Sequence, residues 1–267
     1  MTRHLDFYRV LMRIAIQEQL QYRAANYFYM VGMIAEPVIY LVVWSTVARS
    51  QGGAVGGYTP GAFAAYYIVW TLVRNMNIVF TPYGWEGRIR QGQLSMALLR
   101  PIHPLHADVA FFAGWKVVVI LLWLPLAAFL AWVFEPDLHP SWLEVGVFAI
   151  AIWGAYLIRT LLLAILGMIT FWTTRVSAIF ELFFAAELVL SGRLVPMSLM
   201  PAWVQRTAGW LPFQWTFGFP IEALVGALPP GELARGLGMQ VAWIALGTAA
   251  VGAVWRVGIR RFAAVGG

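Results

Sequence analysis

The sequence predicts an all-α, polytopic membrane protein, and three observations support this fold class. Apolar residues make up 61% of the 267-residue chain and charged residues only 11%, whereas a soluble domain is about half apolar and about a quarter charged. The apolar residues are gathered in blocks of about 20, which is the length that a helix needs to cross a hydrocarbon core. Arginines flank these blocks, as the positive-inside rule expects. Since a spanning chain satisfies its backbone within helices, we expect helices throughout.

Composition also argues against several classes of function. The chain has no cysteine, which leaves no thiolate metal site, disulfide or cysteine nucleophile. Its only lysine, Lys116, does not follow a glycine-rich turn, so the phosphate-binding loop of nucleotide-binding proteins is absent. The HExxH pattern of zinc proteases and the GxSxG pattern of serine hydrolases are missing as well. We therefore expect no enzyme activity, no catalytic residue, no metal site and no cofactor in this chain.

Six spans are predicted within one transmembrane domain that covers residues 1–267. They cover residues 27–48, 61–80, 108–134, 142–172, 178–195 and 235–255. A helix over residues 3–24 precedes them, and it is amphipathic because its polar side chains recur at spacings of three and four. Such a helix is expected to lie in the membrane interface.

The distribution of charge predicts the orientation of the spans. Six spans place both termini on one side of the membrane, where eleven arginines lie, among them Arg3 and Arg175, against about three on the other side. We therefore expect both termini in the cytoplasm. These flanking residues also explain the net charge of +6, so nucleic acid is not an expected partner.

A polar stretch over residues 82–104 separates the second and third predicted spans. Its charged residues are Glu86, Arg88, Arg90 and Arg100, and apolar residues lie among them. The stretch is too polar to span a bilayer and too apolar for a solvated loop. We expect a short amphipathic element on the cytoplasmic membrane surface, where it is able to meet another protein.

A second unusual segment, residues 196–230, precedes the last predicted span and contains six prolines and several tryptophans. Frequent prolines prevent one continuous spanning helix, and tryptophans favour the membrane interface. We therefore expect short re-entrant or interfacial helices on the outer side, packed against protein so that their backbone stays satisfied.

Ionisable residues inside predicted spans are costly, so they mark structural or functional positions. The candidates are Glu36, Arg74, Arg159, Glu181, Glu187 and Arg193. Glu36 and Arg74 are expected at similar depth and would form a bridge between neighbouring helices. The same holds for Arg159 and Glu187. Such residues either lock helices together or line the path of a transported molecule, and the sequence leaves both roles open.

Four features of the chain together resemble the membrane subunits of ABC transporters of the ABC-2 (type V) class. They are the amphipathic N-terminal helix, the segment IRQGQLSMALLRPIHPL, the six-span layout and the segment PMSLMPAWVQRTAGWLPFQWTFGFPIEAL. The first of these two segments is the more specific, and its matching residues are Arg90, Gly92, Leu94, Leu98, Leu99, Arg100 and Pro101.

This resemblance implies the permease subunit of an ATP-driven exporter in a bacterial inner membrane. Two copies of a separate ATPase would bind ATP and Mg²⁺, and the segment 82–104 would be the coupling helix that docks on them. The residues expected to contact the ATPase are Glu86, Arg88, Ile89, Arg90, Gln91, Gly92 and Leu94. Ile89 and Leu94 would be the apolar anchors of this contact. A second membrane subunit, identical or paralogous, would complete a path that spans one, two and five line, with membrane lipids around it.

Two other classes of function stay open. An ion-coupled secondary transporter would show an inverted repeat with broken helices in both halves, whereas prolines break only the last third of this chain. The acids Glu36, Glu181 and Glu187 would nevertheless suit such a transporter. A membrane scaffold without transport would tolerate fewer buried charges. The 14 Trp, 17 Phe and 10 Tyr fit either interfacial belts or a hydrophobic or cationic aromatic cargo.

Overall fold

The computed structural model describes residues 2–79, 81–173, 176–226 and 228–262, and within them the chain is all-α, as predicted. The helices are α1 Thr2–Gln21, α2 Arg23–Gly32, α3 Ala35–Ser50, α4 Pro60–Met76, α5 Thr81–Arg90, α6 Leu94–Leu98, α7 Pro104–Phe134, α8 Trp142–Met168, α9 Ser177–Leu190, α10 Ala202–Trp210, α11 Pro212–Thr216, α12 Gly218–Leu224 and α13 Pro230–Gly258. Short 3-10 turns lie at Ile169–Phe171, Met197–Leu199 and Ile259–Arg261. Phe80, predicted in the second span, and Arg175, predicted on the cytoplasmic side, lie outside the described residues.

Four stretches are long and apolar enough to cross a membrane: Arg23–Ser50, Pro104–Phe134, Trp142–Phe171 and Pro230–Arg261. They correspond to the first, third, fourth and sixth predicted spans, so the chain is a polytopic membrane protein. The second and fifth predicted spans correspond to α4 and α9, which have 17 and 14 residues. At 1.5 Å per residue these helices are about 26 and about 21 Å long, shorter than a hydrocarbon core of about 30 Å. The total of six spans therefore stays a prediction.

The first span is interrupted where α2 meets α3. Pro37 has no N–H to donate to the carbonyl four residues earlier, and the helix breaks at Met33 and Ile34. Glu36 consequently lies in the first turn of α3. The break brings a carboxylate to a helix N-terminus, where the partial positive charge of the helix favours it.

Helix α4 lies at the centre of the described bundle. Every residue from Phe63 to Val73 is buried, and α3, α7, α8 and α12 pack around it. Apolar residues occur on all faces of α4, and a helix that is apolar all round is buried. Its start is fixed by Thr59, whose hydroxyl oxygen accepts the Ala62 N–H at 3.1 Å, and by Pro60 in the first turn.

The N-terminal helix α1 packs along α7. Gly114 makes this close contact possible, since a Cβ there would lie 2.5 Å from the Met12 carbonyl oxygen. Ala15 is fully buried, and the Tyr8 hydroxyl lies 2.6 Å from His106 Nδ1. The predicted amphipathic helix is present, and its apolar face meets protein as well as any lipid.

Residues 196–226, the first described part of the proline-rich segment, fold into short helices, as predicted. Helix α12 packs against α4 and α8, and a Cβ on Gly236 of α13 would lie 2.0 Å from the Phe219 ring. Trp203 and Trp210 of α10 are exposed, which suits a membrane interface. This segment lies beside the starts of α4 and α13, whereas α5 begins beyond the end of α4. The two segments therefore occupy opposite ends of the bundle.

Candidate functional site

Helices α5 and α6 form the segment that was predicted to lie on the cytoplasmic surface. The expected single coupling helix is two short helices, because Gly92 adopts a φ of 71°, which favours glycine and interrupts the helix. The segment ends at His103, whose Nδ1 accepts the Leu105 N–H at 3.2 Å and caps α7. Pro104 is the first residue of α7. Proline has no N–H to donate, but the N–H groups of the first helical turn have no partner within the helix, so no hydrogen bond is lost. The segment is thus a defined corner between α4 and α7.

Arg88 holds α5 against the start of α7. Its guanidinium donates to both carboxylate oxygens of Asp108, at 2.6 and 2.9 Å, and Trp85 Nε1 donates to the same carboxylate at 3.0 Å. Asp108 is only 6% exposed. Bidentate pairs between arginine and a carboxylate combine strength with fixed geometry. Arg88 was expected to contact another protein, but in this structure its guanidinium joins two elements of its own chain.

Leu94 and Ile89 face the interior of the protein. Leu94 is 0% exposed and belongs, with Trp85, to an apolar cluster that includes residues of α8 and α13, and Ile89 packs against the same cluster. The expectation that Leu94 anchors a partner is therefore wrong, because a side chain buried in its own chain has no surface to offer. Ile89 is half-buried and offers only part of its surface.

A different set of apolar residues forms the exposed side of this segment. They include Met96 and Leu99, which are 71% and 78% exposed. Charged residues precede and follow them along the chain, and among these Arg90 pairs with Glu86 at 2.9 Å. We call these apolar residues and the polar residues beside them the α5–α6 surface. Its members are Glu86, Arg90, Gln91, Met96, Leu98, Leu99 and Arg100. Exposed apolar side chains with a charged rim are typical of a site that meets another protein.

Helix α5 rests directly on α8. A Cβ on Gly167 would lie 2.6 Å from the Trp85 Cβ and 3.0 Å from the Pro82 backbone, so a larger residue there would push the two helices apart. The segment is consequently attached at two places, to α7 through Asp108 and to α8 through Gly167.

Two of the six charged candidates, Arg74 and Arg193, contact a third candidate, Glu36. Arg74 and Arg193 both donate to its carboxylate, Arg193 at 3.0 Å, and the Tyr40 hydroxyl donates to it at 3.4 Å. Both guanidinium groups lie over the Trp70 ring, at 5.2 and 5.7 Å from its centre. The predicted bridge between Glu36 and Arg74 is present, and Arg193 completes it. We call these three residues the Glu36 cluster, which carries one positive charge in excess.

Aromatic side chains of α4 hold the backbone of residues 192–194, which follow α9. The hydroxyls of Tyr66 and Tyr67 donate to the first and third carbonyls of this segment, at 2.7 and 2.9 Å. Between them, Trp70 Nε1 donates to the Arg193 carbonyl at 3.0 Å. Three consecutive carbonyls are thus paired with donors from one helix, and this fixes the position from which Arg193 reaches Glu36.

The second predicted bridge, between Arg159 of α8 and Glu187 of α9, is also present at 2.5 Å. It is more deeply buried, since the Glu187 side chain is 1% exposed. Removing one partner of such a pair leaves an uncompensated charge in the interior, so the pair locks α8 to α9. Glu181, by contrast, is exposed on another face of α9.

Lys116 is a buried amine, and the sequence did not predict its role. Its Nζ donates to the backbone carbonyls of Asn75, at 3.0 Å, and of Ile78. These carbonyls lie at the C-terminal end of α4, where helix carbonyls have no partner within the helix. Lys116 therefore caps α4 and ties it to α7. The available signal was a lone lysine inside a predicted span.

A family model described as ABC-2 family transporter protein matches residues 34–266. The match begins at the break before α3 and extends over every later helix, so it includes the α5–α6 surface and both charged bridges. No curated protein matches the chain.

Proposed function

The chain belongs to the ABC-2 family of transporter proteins, and on this premise we propose that it is the permease subunit of an ATP-driven exporter. Two copies of a separate ATPase bind ATP and Mg²⁺ and supply the energy. A second membrane subunit, identical or paralogous, completes the translocation path. The chain lies in a bacterial inner membrane, with both termini and the α5–α6 surface in the cytoplasm.

The α5–α6 surface is the observation that most supports this proposal. It exposes three apolar side chains at the end of a membrane bundle, and covering such side chains with a partner is favourable because it removes apolar area from water. The charged residues Glu86, Arg90 and Arg100 at its rim would set the orientation of that partner. We assign this surface to the docking of the ATPase.

Movement of the docked ATPase reaches the spans through the two attachments of α5. The bridge from Arg88 to Asp108 connects α5 to the first residues of α7, and the contact at Gly167 connects it to the last turn of α8. When ATP draws the two ATPases together, α5 moves with them and shifts both long helices. Transmission needs rigid contacts, and a bidentate bridge and a glycine contact without intervening side chains both provide them.

We place the translocation path at the face where α3, α4 and α9 meet. The Glu36 cluster joins these three elements, since Glu36 lies on α3, Arg74 on α4 and Arg193 just after α9. Its side chains are between 20% and 30% exposed, so the cluster lies at the edge of this chain rather than inside it. An edge position fits a boundary with the second membrane subunit, where charged residues would face the path.

An ion-coupled transporter fits these contacts less well. Such a transporter needs an acid that is free to bind and release an ion. Glu36 is held by two arginines and Glu187 by one. Of the three candidate acids, Glu181 alone has no ion pair among the described residues, and its side chain is exposed.

Co-purification tests the proposed function. The chain is co-expressed with an ABC ATPase encoded beside it, and the complex is isolated through a tag on the ATPase. The variant Met96→Glu/Leu99→Glu places two charges in the apolar part of the α5–α6 surface and should lose the ATPase while still inserting into the membrane. The matched control, Trp142→Glu/Leu143→Glu, changes two exposed apolar residues at the other end of the bundle and should keep it.

Two results would contradict the proposal. Equal recovery of the double variant and the control would remove the ATPase from the α5–α6 surface. Failure of the unmodified chain to associate with the ATPase would remove the motor partnership itself.

A further inference from the structure

A cavity of about 570 Å³ opens at the end of the bundle opposite to the α5–α6 surface. Residues after α3, the turn before α10, and helices α10 to α13 line it. Its volume falls within the range of about 300–1,000 Å³ that is usual for small-molecule sites. The cavity is therefore large enough for a ligand of drug size.

A buried carboxylate forms part of the cavity wall. Glu222 of α12 is only 7% exposed, and its Oε1 has no hydrogen-bond partner among the described residues. The backbone N–H of Met197 donates to the carboxylate and opposes the effect of burial, yet burial raises the pKa of Glu222 to about 7. A carboxylate this deeply buried with one unpaired oxygen is costly, and a cation that enters the cavity would reduce that cost.

The other charged groups of the cavity leave it negative. Asp137 and Glu232 line it together with Glu222, and among the described lining residues Arg235 is the single basic one. Arg235 already pairs with Glu232 at 3.2 Å. His139 lies 3.3 Å from Asp137 and adds charge only when it is protonated. The excess of acids favours a positively charged occupant.

Aromatic side chains provide the rest of the recognition surface. Trp215 and Phe219 line the cavity, and their rings meet edge to face at 5.8 Å. They are 4% and 1% exposed, so Trp215 presents a small part of its ring to the cavity and Phe219 supports it from behind. Tyr58 lies on the same lining and is half-buried. The faces of such rings attract cations, most strongly where water is excluded. Met197 adds apolar surface to the wall.

We propose that this cavity binds an organic cation with an apolar or aromatic body, with Glu222 as the charge partner and Tyr58 and Trp215 as the aromatic walls. Binding follows from the cavity alone. That the bound cation is the exported cargo rests on the proposed function. In that case the cavity is the binding site of the cationic aromatic cargo, which is one of the two explanations of the aromatic content of the sequence.

Two ions of the same size and opposite charge test the proposal. The full chain is purified, placed in lipid nanodiscs at pH 8, and titrated with radiolabelled tetraphenylphosphonium or tetraphenylborate. Tetraphenylphosphonium should bind saturably, with one ion per chain, and tetraphenylborate should only partition into lipid. Glu222→Gln should weaken tetraphenylphosphonium binding by about tenfold or more, because it removes the charge and keeps the shape.

Two further variants keep the result interpretable. Trp215→Leu retains the carboxylate and removes an aromatic wall, and it should also weaken binding, so the proposal stays testable if Glu222→Gln does not fold. Glu18→Gln applies the same substitution to an exposed residue of α1 and should leave binding unchanged. Equal saturable binding of both ions, or unchanged affinity in both cavity variants, would overturn the proposal. No ATPase is present, so this outcome is independent of the co-purification result.

Discussion

Asp108 and Glu222 are carboxylates at opposite ends of the same helical bundle, and they are almost equally buried, at 6% and 7% exposure. Their partners differ. Both oxygens of Asp108 accept hydrogen bonds, from Arg88 and from Trp85. One oxygen of Glu222 has no partner in the part of the chain that the structure describes.

This difference in hydrogen-bond partners indicates two different roles for a buried carboxylate, one structural and one in ligand binding. A carboxylate whose oxygens are all paired joins elements of the fold, and its removal leaves its partners unpaired. A carboxylate with an unpaired oxygen beside a cavity has capacity left for a ligand. We therefore expect Asp108 to act in holding α5 to α7 and Glu222 to act in binding.

The largest expected effect is that of Asp108→Asn. This variant should lower the free energy of unfolding by about 3 kcal/mol, because it leaves Arg88 without its counter-charge. We take the low end of the usual range since Arg88 is 33% exposed. Thermal unfolding of the purified chain in detergent measures the change. Arg90→Ala is the control, because its exposed pair with Glu86 contributes about 0–1 kcal/mol. Equal effects of both variants would show that the Asp108 bridge is not a structural joint.

Gly167→Ala should have the next largest effect. Its Cβ would overlap Trp85, and relieving such overlap costs about 1–3 kcal/mol in a packed interior. Because α5 would be displaced, recovery of the ATPase in the co-purification should fall as well. Gly252→Ala of α13 is the matched control, since no atom lies within 4 Å of its added Cβ. A normal melting temperature and normal ATPase recovery for Gly167→Ala would contradict a close contact between α5 and α8.

His103 adds a pH-dependent contribution near Asp108. Burial, and to a smaller extent the neighbouring His106, lower the pKa of His103 to about 4, and only the neutral ring accepts the Leu105 N–H. In the unfolded chain the pKa is about 6.5. This contribution is therefore fully present above about pH 6.5 and is lost as the pH falls towards about 4.

Unfolding measured between pH 7.5 and pH 4.5 should show this loss. The variant His103→Asn should have a flatter profile, since asparagine also caps helices and does not titrate. Identical profiles for the two proteins would show that the His103 cap does not contribute.

The smallest expected effect on stability is that of Glu222→Gln. At pH 8 the melting temperature should stay unchanged or rise, because an incompletely paired buried charge is removed. The same variant should lose tetraphenylphosphonium binding. A destabilisation as large as that of Asp108→Asn would erase the distinction between the two carboxylates.

Much of the fold could be predicted because its signals are local. Apolar blocks, flanking arginines and frequent prolines predicted the long helices and the short helices of residues 196–230. The bridges from Glu36 to Arg74 and from Arg159 to Glu187 could be predicted as well, since depth in a span follows from position along it.

Contacts that depend on the orientation of short helices could not be predicted. Helix α6 has only five residues, which is too few for periodicity to show which side faces inward. The sequence therefore predicted Leu94 as a contact to the partner, whereas Met96 and Leu99 are the exposed residues. The partners of Lys116 and the unpaired oxygen of Glu222 depend on how distant segments pack, and no local sequence pattern records this.

The assignment of the ATPase to the α5–α6 surface is tested most directly by single-cysteine crosslinking. The chain has no cysteine, so Leu99→Cys introduces one unique thiol, and Leu143→Cys does the same at the other end of the bundle. Each variant is co-expressed with the ATPase and treated with a short crosslinker that joins a thiol to a lysine. A product of this chain with the ATPase from Leu99→Cys, and none from Leu143→Cys, is the expected result. Crosslinking from Leu143→Cys with none from Leu99→Cys would contradict both the docking site and the orientation of the chain.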